Sequence, residues 1–415
     1  MVTNIRLPAE ILIAILEKVD FQDLWHVRMA SRTLCAAVNP IVFRKLFVKS
    51  TRENVQNLGG LIDVPDIAVH IREVFYIGIN DHWDPRHCAS SSPHSINIIK
   101  NLIMTFLRIG WRWVTSPLSV STSLSNPDLE SSFSKFLSRV HQLPRLETIK
   151  LWFVPRYDVS VSSDNGSRPP LQTSFLAALT ASFSVRAPSE LTTLSLHCLV
   201  VSGFPSESAP FLTLLMPALR HLYLSVLNDI PLNDVRWCNF WGTFIPRIIL
   251  APVQHSLTDL MLDSDITIGS SSGLSFAGLY FPRLSALTLS KFLWGPSVGI
   301  EPFILQHANT LAQLSLRSCS LPVTKLRLLS PTPSTALAEA EEPSNSWEYI
   351  WDRFAAELTV LVALLTDSTF YATCDSDKHV WEAGISDTRK AADNAALQRF
   401  RMTVAARSKE MRRKT

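Results

Sequence analysis

Leu284-Ser285-Ala286-Leu287-Thr288-Leu289 is one of six stretches in the chain with the same spacing of apolar positions. The others run Leu146/Ile149/Leu151, Leu191/Leu194/Leu196, Leu219/Leu222/Leu224, Leu257/Leu260/Leu262 and Leu311/Leu314/Leu316, and Ile71/Val74/Tyr76 reads as an earlier copy. The last two apolar positions lie two apart, the period of a strand, so they point to one side and the residue between them points to the other. A spacing of five does not stay on one helical face, which argues against amphipathic helices. The copies also recur at a regular step: 28 residues from Leu191 to Leu219, then 27 from Leu257 to Leu284 and 27 from Leu284 to Leu311. Longer steps, 45 from Leu146 to Leu191 and 38 from Leu219 to Leu257, imply insertions. Leu143-Pro144, Met216-Pro217 and Phe281-Pro282 precede three of the copies, and proline there ends one segment and feeds an extended one. Each copy therefore contributes one strand. Helix-like stretches lie between them, among them Ile96 to Phe106, Phe133 to Val140 and Phe240 to Phe244. One strand and one helix cannot bury an apolar face alone, so neighbouring copies must stack.

The pattern resembles the leucine-rich-repeat solenoid, from about Ile67 to Leu321, with a period inside the ~20–29 residues of that class. That class implies a curved parallel sheet backed by helices. The Asn or Cys it carries three residues past the last leucine is matched by Cys319 alone. Val154, Leu199, Leu227, Asp265 and Phe292 stand there in the other copies, so irregular convex loops are expected. Residues alternating with the buried leucines face out and line up from copy to copy: Lys150, Trp152, His197, Tyr223, Asp259, Asp263 and Arg317. Aromatic side chains among a few charges suit a binding strip. The alternative is that Trp152 and Tyr223 pack against an inserted loop such as 160–170.

The first forty-odd residues read differently. Pro8 suits a helix start, Glu10 sits where the helix dipole is positive, and Ile11, Leu12, Ile15, Leu16 and Val19 recur at helical spacing. Leu24 and Val27 mark a second helix, and Leu34 and Val38 a third. Three helices this small carry more apolar surface than they can hide, so they cap the rest of the chain or meet another protein. Leu7-Pro8-Ala9-Glu10-Ile11, Asp23-Leu24, Ser31-Arg32 and the closing Phe43-Arg44-Lys45-Leu46 resemble the F-box, with Leu34 where many F-boxes carry Trp. The resemblance implies docking onto a Skp-type adaptor and, through it, a cullin–RING ubiquitin ligase. Leu7, Pro8, Ile11, Ile15, Leu16, Leu24, Val27, Ser31 and Leu34 are the residues that match its adaptor contact.

With 47% hydrophobic and 18% charged residues in 415, the chain has room for two or three folded domains. Its six cysteines are scattered without a C-x-x-C pair, so free thiols in a reducing compartment are expected. Apolar runs are too short for a bilayer, and no signal-peptide layout is present, which gives a cytoplasmic or nuclear expectation. Residues 399–415 hold seven Lys or Arg and one Glu, a basic tail in a chain of net charge +3. No aromatic interleaving accompanies it, so a solvated helix end is favoured over nucleic-acid binding. Residues 331–346 form a Pro/Ala/Glu-rich linker. Beyond it, Asn345 with Glu348 starts a helix whose Trp347, Ile350, Trp351, Phe354, Leu358, Leu361, Val362 and Leu365 share one face, and a last helix spans Asp393 to Arg407.

Gly269-Ser270-Ser271-Ser272-Gly273 has the form of a nucleophile elbow without the strand directly before it and helix directly after it that the elbow needs. His82, His87, Cys88 and His94 have ligand chemistry but no recognisable metal spacing. The expectation is thus an α/β protein that is not an enzyme and takes no cofactor or metal. It comprises an F-box at 1–48, an irregular repeat region at 65–330, the linker, and a helical C-terminal cap and tail at 347–415. By resemblance to fungal F-box/leucine-rich-repeat proteins, it would be the substrate receptor of an SCF-type ligase. A non-ligase interaction scaffold is the alternative. The target of the repeats is not legible, and neither a small-molecule substrate nor a membrane is expected as a partner.

Overall fold

The computed structural model describes residues 7–49, 58, 60–77, 127–153, 171–186, 189–203, 218–232, 234–269, 272–323, 346–374 and 380–414. The stretch 96–106, the loops 116–126 and 160–170, the linker up to 345 and the cluster His82, His87, Cys88 and His94 lie outside them. The chain forms two compact units, Met1–His197 and Cys198–Thr415. The fold is mixed α/β, with nine parallel sheet strands and helices between them.

The first unit opens with α1 (Ala9–Leu16), α2 (Phe21–Ala30) and α3 (Arg32–Val42). Pro8 sits just before α1, its carbonyl accepting the Leu12 N–H at 3.1 Å. Ser31 caps α3 by accepting the Leu34 N–H on its hydroxyl at 3.2 Å. Leu16, Leu24, Val38 and Val42 make the core, with Leu12, Val19, Trp25, Val27 and Phe43 packed around it. Arg28 closes one side, bonding Asn39 at 2.8 Å and lying over the Trp25 and Phe43 rings at about 5 Å.

Strands β1 (Lys45–Lys49), β2 (Glu73–Ile77), β3 (Thr148–Trp152) and β4 (Thr193–Val200) come next, in parallel order. Their register aligns Leu46, Val74, Ile149 and Leu194 in one row and Val48, Tyr76, Leu151 and Leu196 in the next. The expected copy at Ile71 is therefore a rung, and Phe43-x-x-Leu46-x-Val48 is one more before it. A backbone motif locks the register. The carbonyl of each rung's second residue accepts two N–H groups from the next rung: Arg44 from Arg72 and Glu73, Arg72 from Glu147 and Thr148, and Glu147 from Thr192 and Thr193. α4 (Pro65–Ala68) lies between β1 and β2, and α5 (Pro127–Leu137) and α6 (Leu171–Val185) cover the inner face, where Tyr76 stacks on Phe133 at 4.5 Å and meets Phe175 edge-on at 5.0 Å.

In the second unit β5 (His221–Leu227), β6 (Asp259–Ser264), β7 (Ala286–Ser290) and β8 (Gln313–Arg317) repeat the pattern. The same doubled acceptor recurs at Arg220, Thr258, Ser285 and Ala312. Between β5 and β6 run α7 (Val235–Asn239), a π-helical stretch Phe240–Leu250 and α8 (Ala251–Val253), and α9 (Ile300–Leu305) lies between β7 and β8. Lys291 and Ser318, each the residue after a rung's seventh position, adopt the left-handed conformation at φ 61° and 47°. That corner turns the chain into a second, smaller ladder, with the bridges Ile268–Phe292 and Leu293–Ser320 and the strand β9 (Ser320–Pro322). Cys319, the one residue of the expected ladder position, is buried there, its thiol against the Leu289 and Arg317 carbonyls and pushed up to about 11 by burial.

The region expected as one helix from 347 to 365 is two elements. α10 (Trp347–Glu357) is capped by Ser346, which accepts the Tyr349 N–H at 3.0 Å, rather than by Asn345 with Glu348. The chain then enters β10 (Ala363–Thr366), parallel to β8, with Leu364 opposite Leu314. Leu361-x-x-Leu364-x-Thr366 is another rung, and β-branched Thr359, Val360 and Val362 favour extension over a continued helix. β11 (Phe370–Cys374) extends the smaller ladder from β9 and pairs antiparallel with β12 (Val380–Glu382).

The last helix, α11 (Asp387–Lys414), is longer than expected, and Ala396, Leu397, Phe400 and Val404 are buried. Phe400 meets Trp351 and Phe354 of α10 at about 6 Å. Part of the basic tail fastens this contact. Arg399 pairs with Asp352 at 2.8 Å, Arg401 bonds the Thr366 hydroxyl at 2.6 Å, and Arg407 donates to the Leu358 and Ala355 carbonyls at the end of α10, each at 2.7 Å.

Candidate interaction surfaces

α1 has two apolar stripes, which the periodicity of the sequence merges. Leu12, Leu16 and Val19 face the core of the helical module. Ile11 and Ile15, with Leu7 just before the helix, form a second stripe about 100° around from the first, 50%, 49% and 51% exposed, with Pro8 also exposed. Of the residues expected at an adaptor contact, these four share a solvent-facing surface. Leu16 and Leu24, at 3% and 2% exposed, are core residues and are withdrawn from that contact. Val27 and Leu34 are half-buried, and Ser31 spends its hydroxyl on the cap of α3. Ile13 and Met29 are exposed as well, and nothing in the repeat or F-box pattern singles them out.

The outward side of the first unit's strands carries Lys150, Trp152 and His197 next to one another. The Trp152 ring stacks on the His197 imidazole with centroids 4.7 Å apart, and Ser195 Oγ lies 2.6 Å from His197 Nε2. Burial, and secondarily the Lys150 charge, holds His197 down to about 4, so the imidazole is neutral near pH 7. Lys150 lies over the Phe75 ring at 5.1 Å, and Phe75 meets Phe47 in a tilted ring pair with centroids 4.8 Å apart. Phe47 belongs to the Phe43 rung, which the spacing did not show, and Phe75 is the outward residue of the Ile71 rung, which the expected strip, starting at Lys150, did not include. Desolvation lowers the Lys150 ammonium below its ordinary range.

In the second unit the expected strip divides by depth. Tyr223 is half-buried and its phenol is raised by desolvation. Asp259 accepts from the Thr258 hydroxyl at 2.8 Å and lies 2.6 Å from His221 Nδ1. Asp263 and Arg317, expected in solvent, are buried. Alternation along a strand assigns a side chain to a face and does not say what lies over that face. The Asp263 carboxylate accepts the Ser225 hydroxyl at 3.1 Å, and burial raises its pKa despite the Ser290 and Ser225 bonds. Beside this row the Lys291 ammonium donates to the Asp265 carbonyl at 2.6 Å, and Asp265 in turn accepts the Asn228 N–H at 2.8 Å.

The elbow-like glycine pair stands in a different context from a hydrolase turn. Five residues out of Ser264, the end of β6, Gly269 begins the motif, and 274–276 after it are irregular rather than helical. Ser272 is buried, with its Oγ 3.4 Å from the Leu274 N–H. A cavity of about 240 Å³ in the second unit is lined by Trp347, Trp351, Tyr371, Lys390 and Asp393. Asp393 is committed to structure there, accepting the Glu348 N–H of α10 at 2.8 Å. Among the described residues no helix is long and apolar enough to cross a membrane, and no group of His, Cys, Asp and Glu is gathered as a metal site. Comparison of the chain with protein-family models and with curated proteins finds no match.

Proposed function

We propose that the protein is a substrate receptor of F-box/leucine-rich-repeat type: its N-terminal helices dock onto a Skp-type adaptor, and the outward face of its parallel rungs holds a target for ubiquitin transfer by partner subunits in the cytoplasm or nucleus. The observation that carries this reading is the stripe Leu7, Ile11 and Ile15, apolar and half-exposed on a module whose core is already complete without it. A stripe kept apolar outside a finished core has a partner as its physical rationale. In this reading the chain supplies binding and proximity, and holding target and ubiquitin carrier together raises the transfer rate without a catalytic side chain here.

The test is co-purification of the full chain with the adaptor and a cullin, against an Ile11→Asp/Ile15→Asp variant. Both positions face water, so the variant keeps its melting temperature while burial of two carboxylates at the contact abolishes adaptor recovery. Undiminished recovery with a folded variant refutes the docking surface. Recovery of adaptor without cullin turns the reading to the non-ligase scaffold.

A further inference from the structure

One imidazole joins the entries of two successive rungs. His307 follows α9 and is 2% exposed. Its Nε2 accepts the Phe281 N–H at 2.9 Å, and its Nδ1 lies 2.6 Å from the Phe303 carbonyl of α9. An amide N–H can only donate and a carbonyl can only accept, so the ring is neutral with its proton on Nδ1. The main chain carries the link onward on both sides. The Phe281 carbonyl accepts the N–H of Leu284, the first leucine of the β7 rung, at 3.0 Å. The His307 carbonyl accepts the Thr310 and Leu311 N–H groups at 3.0 and 2.9 Å, where the β8 rung begins. Gln306 adds a parallel tie, donating from Nε2 to the Leu279 carbonyl at 2.5 Å. Around the imidazole stand rings: Phe303 at 4.7 Å, Phe281 at 6.0 Å and, stacked on it at 5.5 Å, Tyr280. Tyr280 is 52% exposed, which places His307 one ring beneath the surface on that side.

We propose that His307 is an acid-released latch between the β7 and β8 rungs: a proton arriving at Nε2 takes the lone pair that holds the Phe281 N–H, sets two donors against each other and frees the corner 279–282 from α9. The Nδ1 bond to the Phe303 carbonyl survives protonation, so the histidine stays with α9 while Phe281 lets go. The edge-on contact of Phe281 with Phe303, 5.9 Å between centroids, opens with it. Charged groups do not override this chemistry. Glu301 on α9 and Arg283 beyond Pro282 are the charged residues of the two segments the histidine joins, Glu301 is paired with Arg353 at 2.7 Å, and Tyr280 is the titratable group stacked on the ring. Burial lowers the imidazole pKa and the bond to the Phe303 carbonyl offsets part of that. The latch is therefore shut at neutral pH, and the released form, which binds the extra proton, gains population as pH falls below the ordinary imidazole value of 6.5. This goes beyond the receptor reading and does not rest on it.

The experiment follows amide exchange of the full chain, residue by residue and corrected for the intrinsic pH dependence of exchange, from about pH 7.5 to about pH 4.5. Protection of the Phe281 and Leu284 amides is expected to fall by about tenfold or more across that range, the loss of one buried hydrogen bond, while the amides of β6 keep theirs. The local readout separates the latch from His197, which belongs to the first unit. His307→Gln retains a side-chain acceptor and donor and does not titrate, so it should remove the pH-dependent step. Tyr280→Ala changes an exposed residue and keeps the latch testable where the glutamine variant folds poorly. Stripping that ring from the imidazole lessens its burial, so the step should move to higher pH. Unchanged Phe281 protection in the wild type, a loss shared equally by β6, a step that persists in folded His307→Gln, or a step that Tyr280→Ala leaves in place or moves to lower pH overturns the proposal.

Discussion

On α1 a difference of one residue separates core from surface. Leu16 fills the helical module and Ile15 faces water. Leu16→Ala and Leu24→Ala should each destabilise the module by about 2–5 kcal/mol, the range for emptying a packed leucine site, whereas Ile11→Ala and Ile15→Ala should leave its unfolding almost unchanged. Chemical denaturation of the four variants tests this, and equal losses at all four would contradict the two-stripe geometry. His197 makes a pH prediction. Its folded pKa of about 4 lies below the unfolded value of 6.5, so the unfolded chain binds more protons between these limits and stability falls as pH drops from 6.5 toward 4. His197→Gln should remove that part of the acid sensitivity, at most about 3 kcal/mol, as read from melting curves at pH 7 and pH 4.5. The leucines were legible as strand positions because burial and period 2 agree. Asp263 and Arg317 were legible as outward and illegible as buried, since depth is set by what other parts of the chain place over the sheet.

Rungs with strong leucines were readable from spacing alone, and the two that were missed show what the spacing depends on. β1 comes two residues after α3 and uses Phe43, Leu46 and Val48, so its residues read equally well as the end of the helical module. β10 ends on Thr366 where the other rungs carry a larger apolar residue, and the aromatic periodicity of α10 runs straight into it. The fasteners of α11 were also hidden, because a cluster of basic residues in sequence has no stated partner. Arg407 supplies two charge-assisted bonds to the carbonyl end of α10. Arg407→Ala should therefore lower the stability of the second unit by about 1–3 kcal/mol and raise amide exchange in the last turn of α10. An unchanged exchange rate there would mean that packing of Phe400 alone holds the two helices. Lys414 instead pairs with Glu410 one turn back on α11, at 2.6 Å, and reversing its charge is expected to leave that exchange rate as it is.

At the scale of the chain, the functional reading makes a prediction about populations in cells. Proteins recovered with the intact chain should increase on proteasome inhibition, and those dependent on the Trp152 and His197 surface should vanish in Trp152→Ala without loss of adaptor. A fall in melting temperature with an unchanged set of recovered proteins would instead assign the Trp152–His197 stack to structure. The target was never legible, because the framework leucines constrain the outward residues only in direction. Finally, within each unit the strands of the main ladder pair in the order in which they occur, β9 alone stepping aside into the smaller ladder, and each doubled carbonyl receives the rung that comes next in its sheet. Ala286, for instance, meets Gln313 only 27 residues further on. Contacts so close in sequence close small loops, which lowers the entropic barrier to forming them and makes growth from an existing pair of rungs easier than starting a new pair elsewhere. Refolding of each unit should accordingly behave as nucleation and then zippering, and a defect in one rung, such as proline at Ser285, whose N–H and carbonyl both serve the doubled acceptor, should halt the zipper there and leave the rungs on its nucleated side in place.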